Sequence, residues 1–325
     1  MKKIYINHSD YYLPLNIEKN ITILNQSKKN KSEIVNMIKK IGIKSRRISD
    51  KNQFSTDLAI ESSKKVLRKF DKKNIDFLIY CTNTPDFLLP SNACIIHDKL
   101  KLNKNCGAFD IGLACSGYVY SLSVAKSLIY SKTVKNVLLI TADTYSKFIP
   151  LNDFKNRILF GDGSSATLLS SKKTPESFEV LKSTYGTDGS GSNFAIIKNF
   201  GNKFRNSKNK SDNNIFIDGP GLYNFALNVI PDQVKSFIKK FNLKNQIDYY
   251  IFHQANKFMI DGLINIMKIN KKKVIIDMSQ TGNTVSTSIP IIIKKFEDKF
   301  KKNDKILLVG FGGGLSWGIT LIKKT

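Results

Sequence analysis

The chain of 325 residues is predicted to fold as an α/β protein of two related halves, and three observations carry that expectation. Short β-branched apolar runs alternate with longer helical stretches, the pattern of a layered sheet-and-helix fold. Asn74-Ile75-Asp76-Phe77-Leu78-Ile79-Tyr80 resembles Gln246-Ile247-Asp248-Tyr249-Tyr250-Ile251-Phe252, and Asn136-Val137-Leu138-Leu139-Ile140 resembles Lys305-Ile306-Leu307-Leu308-Val309. A third pair, Phe160-Gly161-Asp162-Gly163 and Phe311-Gly312-Gly313-Gly314, follows in the same order, which argues for a duplicated unit. The expected halves are 1–172 and 173–325. The third pair is closer together in sequence than the other two, so the first half carries extra residues, placed near Thr144 to Ile158.

Along the chain, Ser55 to Phe70 reads as a helix and the first repeated run, 74–80, as a buried strand. Cys115 to Tyr130 reads as a helix, and 136–140 as another buried strand. Lys198 to Asn214, rich in Gly, Asn, Lys and Ser without apolar periodicity, is expected to be a mobile loop. Pro220 to Phe241, Gln254 to Met267 and Thr284 to Phe300 read as helices, with strands at 246–252 and 305–309 between and after them.

Composition narrows the function classes. With 41% apolar residues the chain can build a sizeable core. Its longest apolar runs, such as 137–140 and 306–309, are strand-sized, far below the roughly 20 residues of a membrane span. Met1 to His8 contains no apolar run of a secretory leader, so a soluble cytoplasmic protein is expected. Cysteines at 81, 94, 106 and 115 form no Cys-x-x-Cys pair, which points to reduced thiols and to neither a disulfide scaffold nor a metal site. The net charge of +26 comes mostly from scattered lysines: only Arg46, Arg47, Arg68, Arg157 and Arg205 are arginines. A surface reading nucleic-acid phosphates would favour arginine forks, so a Lys, Asn and Ile bias is the better account. Such a surface would still attract an acidic protein or a phosphorylated carrier.

Three distant segments carry a coherent chemistry: Ala114-Cys115-Ser116-Gly117, Phe252-His253-Gln254-Ala255-Asn256 and Thr281-Gly282-Asn283-Thr284. A thiol can hold an acyl group covalently, while an imidazole and a carboxamide can donate hydrogen bonds to an enolate formed when a malonyl-type thioester loses carbon dioxide. That reaction calls for no metal and no cofactor. Cys115 at the start of a helix would feel the positive end of the dipole, which favours the thiolate. Cys115 and Asn283 both precede helices at nearly equivalent places in the two halves, so a pseudo-twofold axis could bring them together.

Taken singly, each residue has a plainer reading: a buried cysteine packs, and Asn283 after Gly282 makes a turn. Cys81, Cys94 and Cys106 are read as packing, His8 and His97 as ordinary residues, and Asp162 as a loop-fixing carboxylate. The glycines 312–314 lack the Lys-Ser/Thr of a phosphate loop.

Together the motifs resemble the β-ketoacyl-acyl carrier protein synthase III family of thiolase-superfamily condensing enzymes. The resemblance runs from about Ile41 to the C-terminus. It rests on 108–117, Phe160-Gly161-Asp162-Gly163, His253-Gln254-Ala255-Asn256, Gly282-Asn283-Thr284 and 310–318. It implies a thiolase-like five-layered αβαβα fold, a homodimer, and action on acyl carrier protein with an acyl-CoA or acyl-carrier primer. By the same resemblance Cys115 is the acyl-carrying nucleophile, and His253 and Asn283 promote decarboxylation. The N–H groups of Cys115 and Gly313 form the oxyanion hole, and Phe311 packs beside the Cys-His pair.

Departures from the family concern the substrate. Where a tryptophan commonly stacks on the coenzyme A adenine, this chain has Asn36; where an arginine flanks the other face, it has Phe154. Asn256 and Lys257 are further candidates for carrier or substrate binding, Lys257 standing beside Phe258 where many members have an arginine. Leu89 occupies the place of a phenylalanine that reaches across the dimer into the acyl pocket, and a smaller side chain there would admit a longer or branched acyl group. The leading expectation is therefore decarboxylating condensation of an acyl primer with malonyl-acyl carrier protein. The alternatives are transfer of the Cys115-bound acyl group to an alcohol or amine, which needs no decarboxylation, and a non-catalytic carrier-binding subunit.

Overall fold

In the computed structural model, which describes residues 2–27, 29–204 and 206–325, the strands are β1 (Tyr5–Tyr12), β2 (Asn16–Lys19), β3 (Ser45–Ile48), β4 (Phe77–Cys81), β5 (Gly107–Ile111), β6 (Asn136–Asp143), β7 (Gly163–Ser170), β8 (Phe178–Thr187), β9 (Ala195–Ile196), β10 (Phe216–Ile217), β11 (Tyr249–Phe252), β12 (Lys305–Gly312) and β13 (Ser316–Lys324). The helices are α1 (Asn20–Leu24), α2 (Lys31–Ile41), α3 (Ser55–Leu67), α4 (Asn92–Leu100), α5 (Gly117–Tyr130), α6 (Phe154–Arg157), α7 (Gly219–Lys240), α8 (Lys257–Met267) and α9 (Ser288–Lys295).

The main sheet runs β11-β12-β13-β8-β1-β7-β6-β4-β5. Its centre is a short antiparallel pairing of β1 with β8, Tyr5 opposite Glu179 and Ile6 opposite Phe178. Outward from there the two sides match. β1/β7 and β8/β13 are antiparallel, as are β7/β6 and β13/β12, whereas β6/β4 and β12/β11 are parallel. The repeated runs occupy equivalent places: 74–80 leads into β4 and 246–252 into β11, while 136–140 and 305–309 lie in β6 and β12. Beyond β4 lies β5, and at the corresponding place beyond β11 there is a single parallel bridge, Tyr250 to Val274.

Strand periodicity explains the layering. In β4, Ile79 faces a core shared with α5 and α9, while Leu78 and Tyr80 face α3 and α4. In β12, Ile306 and Leu308 face that shared core, while Leu307 and Val309 face α7 and α8. Helices α5 and α9 are thus the middle layer between the two sides of the sheet, with α3 and α4 outside one side and α7 and α8 outside the other. The result is the five-layered αβαβα arrangement. Strands covered on both faces read as continuous apolar runs, which is why these segments were prominent in the sequence.

Differences from expectation have local causes. The insertion in the first half spans 144–162, against 313–315 in the second, and so extends past Ile158; it holds a 3-10 turn, Tyr145–Phe148, and α6. The segment 254–256 lies outside α8 because the Asn256 side chain caps that helix, accepting the Met259 N–H. The stretch 284–300 is broken into Val285–Thr287, α9 and Glu297–Lys299, and Val285 has a φ of 55° that no continuous helix accommodates. Helices α2 and α4 had no counterpart in the sequence reading. The 198–214 loop contains three short 3-10 segments, and Arg205 within it lies outside the described residues. Among the described residues no helix is long and apolar enough to cross a membrane.

Candidate active site

Cys115, His253 and Asn283 line one cavity of about 360 Å³, together with Phe311 and Gly313. Three loop-to-element junctions converge to make it: the entry to α5, the exit from β11 and the turn before α9.

Cys115 sits two residues ahead of α5, and the following Ser116 hydroxyl is 2.7 Å from that of Ser316. The end of β12 passes close behind it. A Cβ on Gly312 would stand 3.0 Å from Cys115 Sγ, and one on Gly310 would stand 3.0 Å from the Cys115 carbonyl oxygen, so glycine at both places permits the approach. Burial pushes the Cys115 thiol well up from its ordinary value, and the Asp143 carboxylate adds to the effect. The thiolate favoured by the helix position is therefore not the resting species. A dipole supplies at most about 2 kcal/mol, or roughly 1.5 pKa units, and desolvation outweighs it here. Neighbouring Cys81 is pushed up to about 12 by the same cause.

His253 leaves β11 with its N–H donated to the Val309 carbonyl at 2.8 Å. Its Nδ1 is 2.8 Å from Ser288 Oγ, and its ring meets that of Phe311 edge-to-face at 5.9 Å. Burial lowers the imidazole to about 3, and it is neutral at physiological pH.

Asn283 is fixed from both sides. Its N–H donates to the Leu159 carbonyl at 2.8 Å and its carbonyl accepts the Gly161 N–H at 3.0 Å. The crossing is tight: a Cβ on Gly161 would lie 2.0 Å from the Thr281 carbonyl oxygen, and Gly282 has a φ of 70°. The side-chain oxygen accepts the Val285 N–H at 2.9 Å, which leaves the amide nitrogen as the group with donors to give.

The other candidates are placed differently. Leu89 is 86% exposed and does not line the cavity of its own chain. Asn36 is exposed on α2. Phe154 packs in a small apolar cluster with Ile23, Leu24, Ile34 and Ile158, because an aromatic ring beside α2 gains more from burial than from solvent. Asn256 is occupied as the α8 cap. Lys257 pairs with Asp261, and its stem packs on Gly42. None of these four lines the cavity. Asp162 accepts hydrogen bonds from the backbone and hydroxyl groups of Ser49 and Ser146, as a loop-fixing carboxylate would.

Several residues of the site had not been singled out. Asp143 is fully buried at the end of β6 and accepts from the Asn83 N–H at 2.8 Å and from Thr82, Thr84 and Ser286 hydroxyls. Burial pushes its carboxyl up to about 7. An aspartate closing the apolar run 137–142 was the available signal. Ser288, Leu222, Phe225 and Met259 carried no signal beyond helical patterning.

The family description "3-Oxoacyl-[acyl-carrier-protein (ACP)] synthase III" matches residues 109–189, and its C-terminal counterpart matches residues 240–324. A Clostridium perfringens (strain ATCC 13124) protein named beta-ketoacyl-[acyl-carrier-protein] synthase III is 40% identical over 290 residues, 87% of this chain and 88% of its own. A Clostridium novyi (strain NT) protein of the same name is 36% identical, with 99% of each chain covered. A crystal structure of a 3-oxoacyl-(acyl-carrier-protein) synthase III superposes with a TM-score of 0.92 at 31% identity, over 99% of both chains.

Proposed function

The chain belongs to the 3-oxoacyl-[acyl-carrier-protein] synthase III family, condensing acyltransferases of fatty acid biosynthesis, and from that premise we propose how its own residues divide the work. The reaction is a decarboxylating condensation of an acyl thioester primer with malonyl-acyl carrier protein, giving a 3-oxoacyl-acyl carrier protein. Cys115 attacks the primer thioester and keeps the acyl group as a thioester, while the donor leaves as a thiol. The Cys115 and Gly313 N–H groups stabilise the tetrahedral oxyanion. Malonyl-carrier then enters, and His253 and Asn283 donate to its thioester oxygen as carbon dioxide departs. The resulting enolate carbon attacks the acyl-cysteine and frees the Cys115 sulfur.

The observation that carries this assignment is the Asn283 amide, whose oxygen is tied to Val285 while its nitrogen, without a partner among the described residues, lies in a cavity shared with Cys115 and His253. Ile215, Ile217, Leu222, Phe225 and Met259 on the cavity wall suit an acyl chain. Asn36 in solvent and Phe154 in its own cluster offer no stacking pair to a nucleotide, which favours a donor held on a carrier over one held on coenzyme A. A homodimer of the two-half chain (1–172 and 173–325) is supported by two features. Phe87, Leu88 and Leu89 are exposed together, and β5 is the outermost strand of the sheet.

Intact-mass measurement after incubation with acyl-coenzyme A and acyl-carrier thioesters tests the reading, with Cys115→Ala as control. An adduct on the wild type, absent in the variant, followed by carbon dioxide release on adding malonyl-carrier, is the expected result. No adduct from any donor and no decarboxylation would overturn it.

A further inference from the structure

Ser288 is the first residue of α9, 3% exposed, and does not line the cavity. Its Oγ accepts the Gln254 backbone N–H at 3.2 Å and lies 2.8 Å from His253 Nδ1. A serine hydroxyl has a single proton to donate. Among the described residues no backbone carbonyl or other side chain hydrogen-bonds this hydroxyl, so Nδ1 is the one acceptor in place for that proton. We infer that Ser288 is a positioning residue that donates to His253 Nδ1 and thereby fixes the neutral ring as its Nε2–H tautomer.

The opposite tautomer is disfavoured by bookkeeping of protons. An Nδ1–H donated to Ser288 would leave the hydroxyl proton buried without an acceptor, and an unmade buried hydrogen bond costs the full desolvation of the group. Gln254 holds the arrangement rigid: its side-chain nitrogen donates to the Phe252 carbonyl at 2.7 Å and the Ile275 carbonyl at 3.3 Å, and its oxygen accepts the Asp277 N–H at 3.0 Å. The competing acceptor is the Val285 carbonyl, which approaches the ring and also receives the Ser288 N–H, but the ring contact at hydrogen-bond distance is the one from Nδ1 to Ser288 Oγ.

The inference rests on His253 acting in the condensation, and it adds a division of proton labour. With Nδ1 turned to Ser288, the Nε2 edge faces the cavity carrying the only ring proton, so His253 arrives as a donor to the thioester oxygen. It has no free lone pair for the Cys115 proton. In acylation the Cys115 S–C bond therefore forms to give the tetrahedral oxyanion, the donor C–S bond breaks as that oxyanion collapses, and the thiol proton passes from Cys115 to the departing sulfur.

Full-length protein labelled with 15N-histidine, observed by long-range 1H–15N correlation, gives the tautomer directly; a His253→Gln sample identifies the His253 signals among those of the three histidines. The expected wild-type pattern for His253 is a protonated Nε2 and an unprotonated Nδ1. In Ser288→Ala the ring should become a tautomer mixture, and malonyl decarboxylation should fall on the order of 10- to 100-fold, the scale seen when metal-bound histidines lose an orienting partner. Ser288→Thr, which keeps the hydroxyl, should retain the wild-type pattern. A wild-type Nδ1–H signal, or an unchanged Nε2–H signal in Ser288→Ala, overturns the inference whether or not either protein condenses. If the tautomer is as expected but His253→Gln decarboxylates normally, it is the catalytic reading of His253 that fails.

Discussion

The Val285 N–H donates to Asn283 Oδ1 at 2.9 Å from a backbone held at φ 55°, a left-handed conformation that a β-branched residue adopts only under constraint. Such a conformation costs about 1–3 kcal/mol and persists where surrounding contacts over-determine it. Here those contacts include the Ser286 hydroxyl on Asp143 and the packing of Val285 at the cavity wall. The strain thus goes into deciding which end of the Asn283 amide is left to donate in the cavity.

Asn283→Asp separates geometry from donation. The carboxylate keeps an oxygen for Val285 but places a second acceptor where the amide nitrogen had donors. Decarboxylation of malonyl-carrier should slow by about 3 kcal/mol, the scale of losing an anion-stabilising donor, while acylation of Cys115 read by intact mass proceeds. Near-wild-type carbon dioxide release would remove Asn283 from the enolate step.

Burial and not the helix governs the Cys115 thiol, and alkylation kinetics can distinguish the two. With a thiol raised from its ordinary 9.0, the iodoacetamide rate at Cys115 should still be climbing at that pH, with Cys115→Ala giving the background from Cys94 and the other thiols. A plateau near neutral pH would mean that the dipole wins after all.

How much of this was legible depends on whether a residue acts through its own pattern or through partners. The repeats gave away β4, β11, β6 and β12 because double-sided burial forces unbroken apolar runs. Cys115, His253 and Asn283 stood out because each lies in a short motif beside small residues. Asn256 had the same appearance, yet its side chain caps α8, since cap and ligand use the same residue types. Ser288 and Asp143 act through contacts across 35 and 60 residues of chain, to His253 and Asn83, and no local pattern encodes such distances. Phe154 stands where the family's arginine flanks a ligand, whereas α2, unseen in the sequence, gives its ring a hydrophobic bed.

Gly312→Ala tests how closely β12 must approach Cys115. The added Cβ would stand 2.9 Å from Cys115 Cβ and 3.0 Å from Sγ, so the thiol must shift by several tenths of an ångström. A misplacement of about 1 Å can cost on the order of 100-fold in rate, and a shift of several tenths costs part of that. Acylation should suffer first, while the melting temperature changes little if the turn 313–315 absorbs the strain. Unaltered acylation would show that the thiol has freedom to spare.

His253 and Asp143 should tilt the dependence of stability on pH in opposite directions. His253 is lowered to about 3 from 6.5, so in that interval the unfolded chain binds a proton that the folded one does not, and stability rises with pH. Asp143 is raised to about 7 from 3.8, so the folded chain holds the proton longer, and its contribution is present at low pH and lost as pH rises through about 7. Between roughly pH 4 and 6.5 the two slopes oppose each other. His253→Gln should therefore lose stability relative to wild type as pH increases across that window, whereas Asp143→Asn should gain it. The double variant should run nearly parallel to wild type. Denaturant midpoints measured across the window give all four profiles. If both single variants run parallel to wild type, the burial of these two groups does not set their protonation.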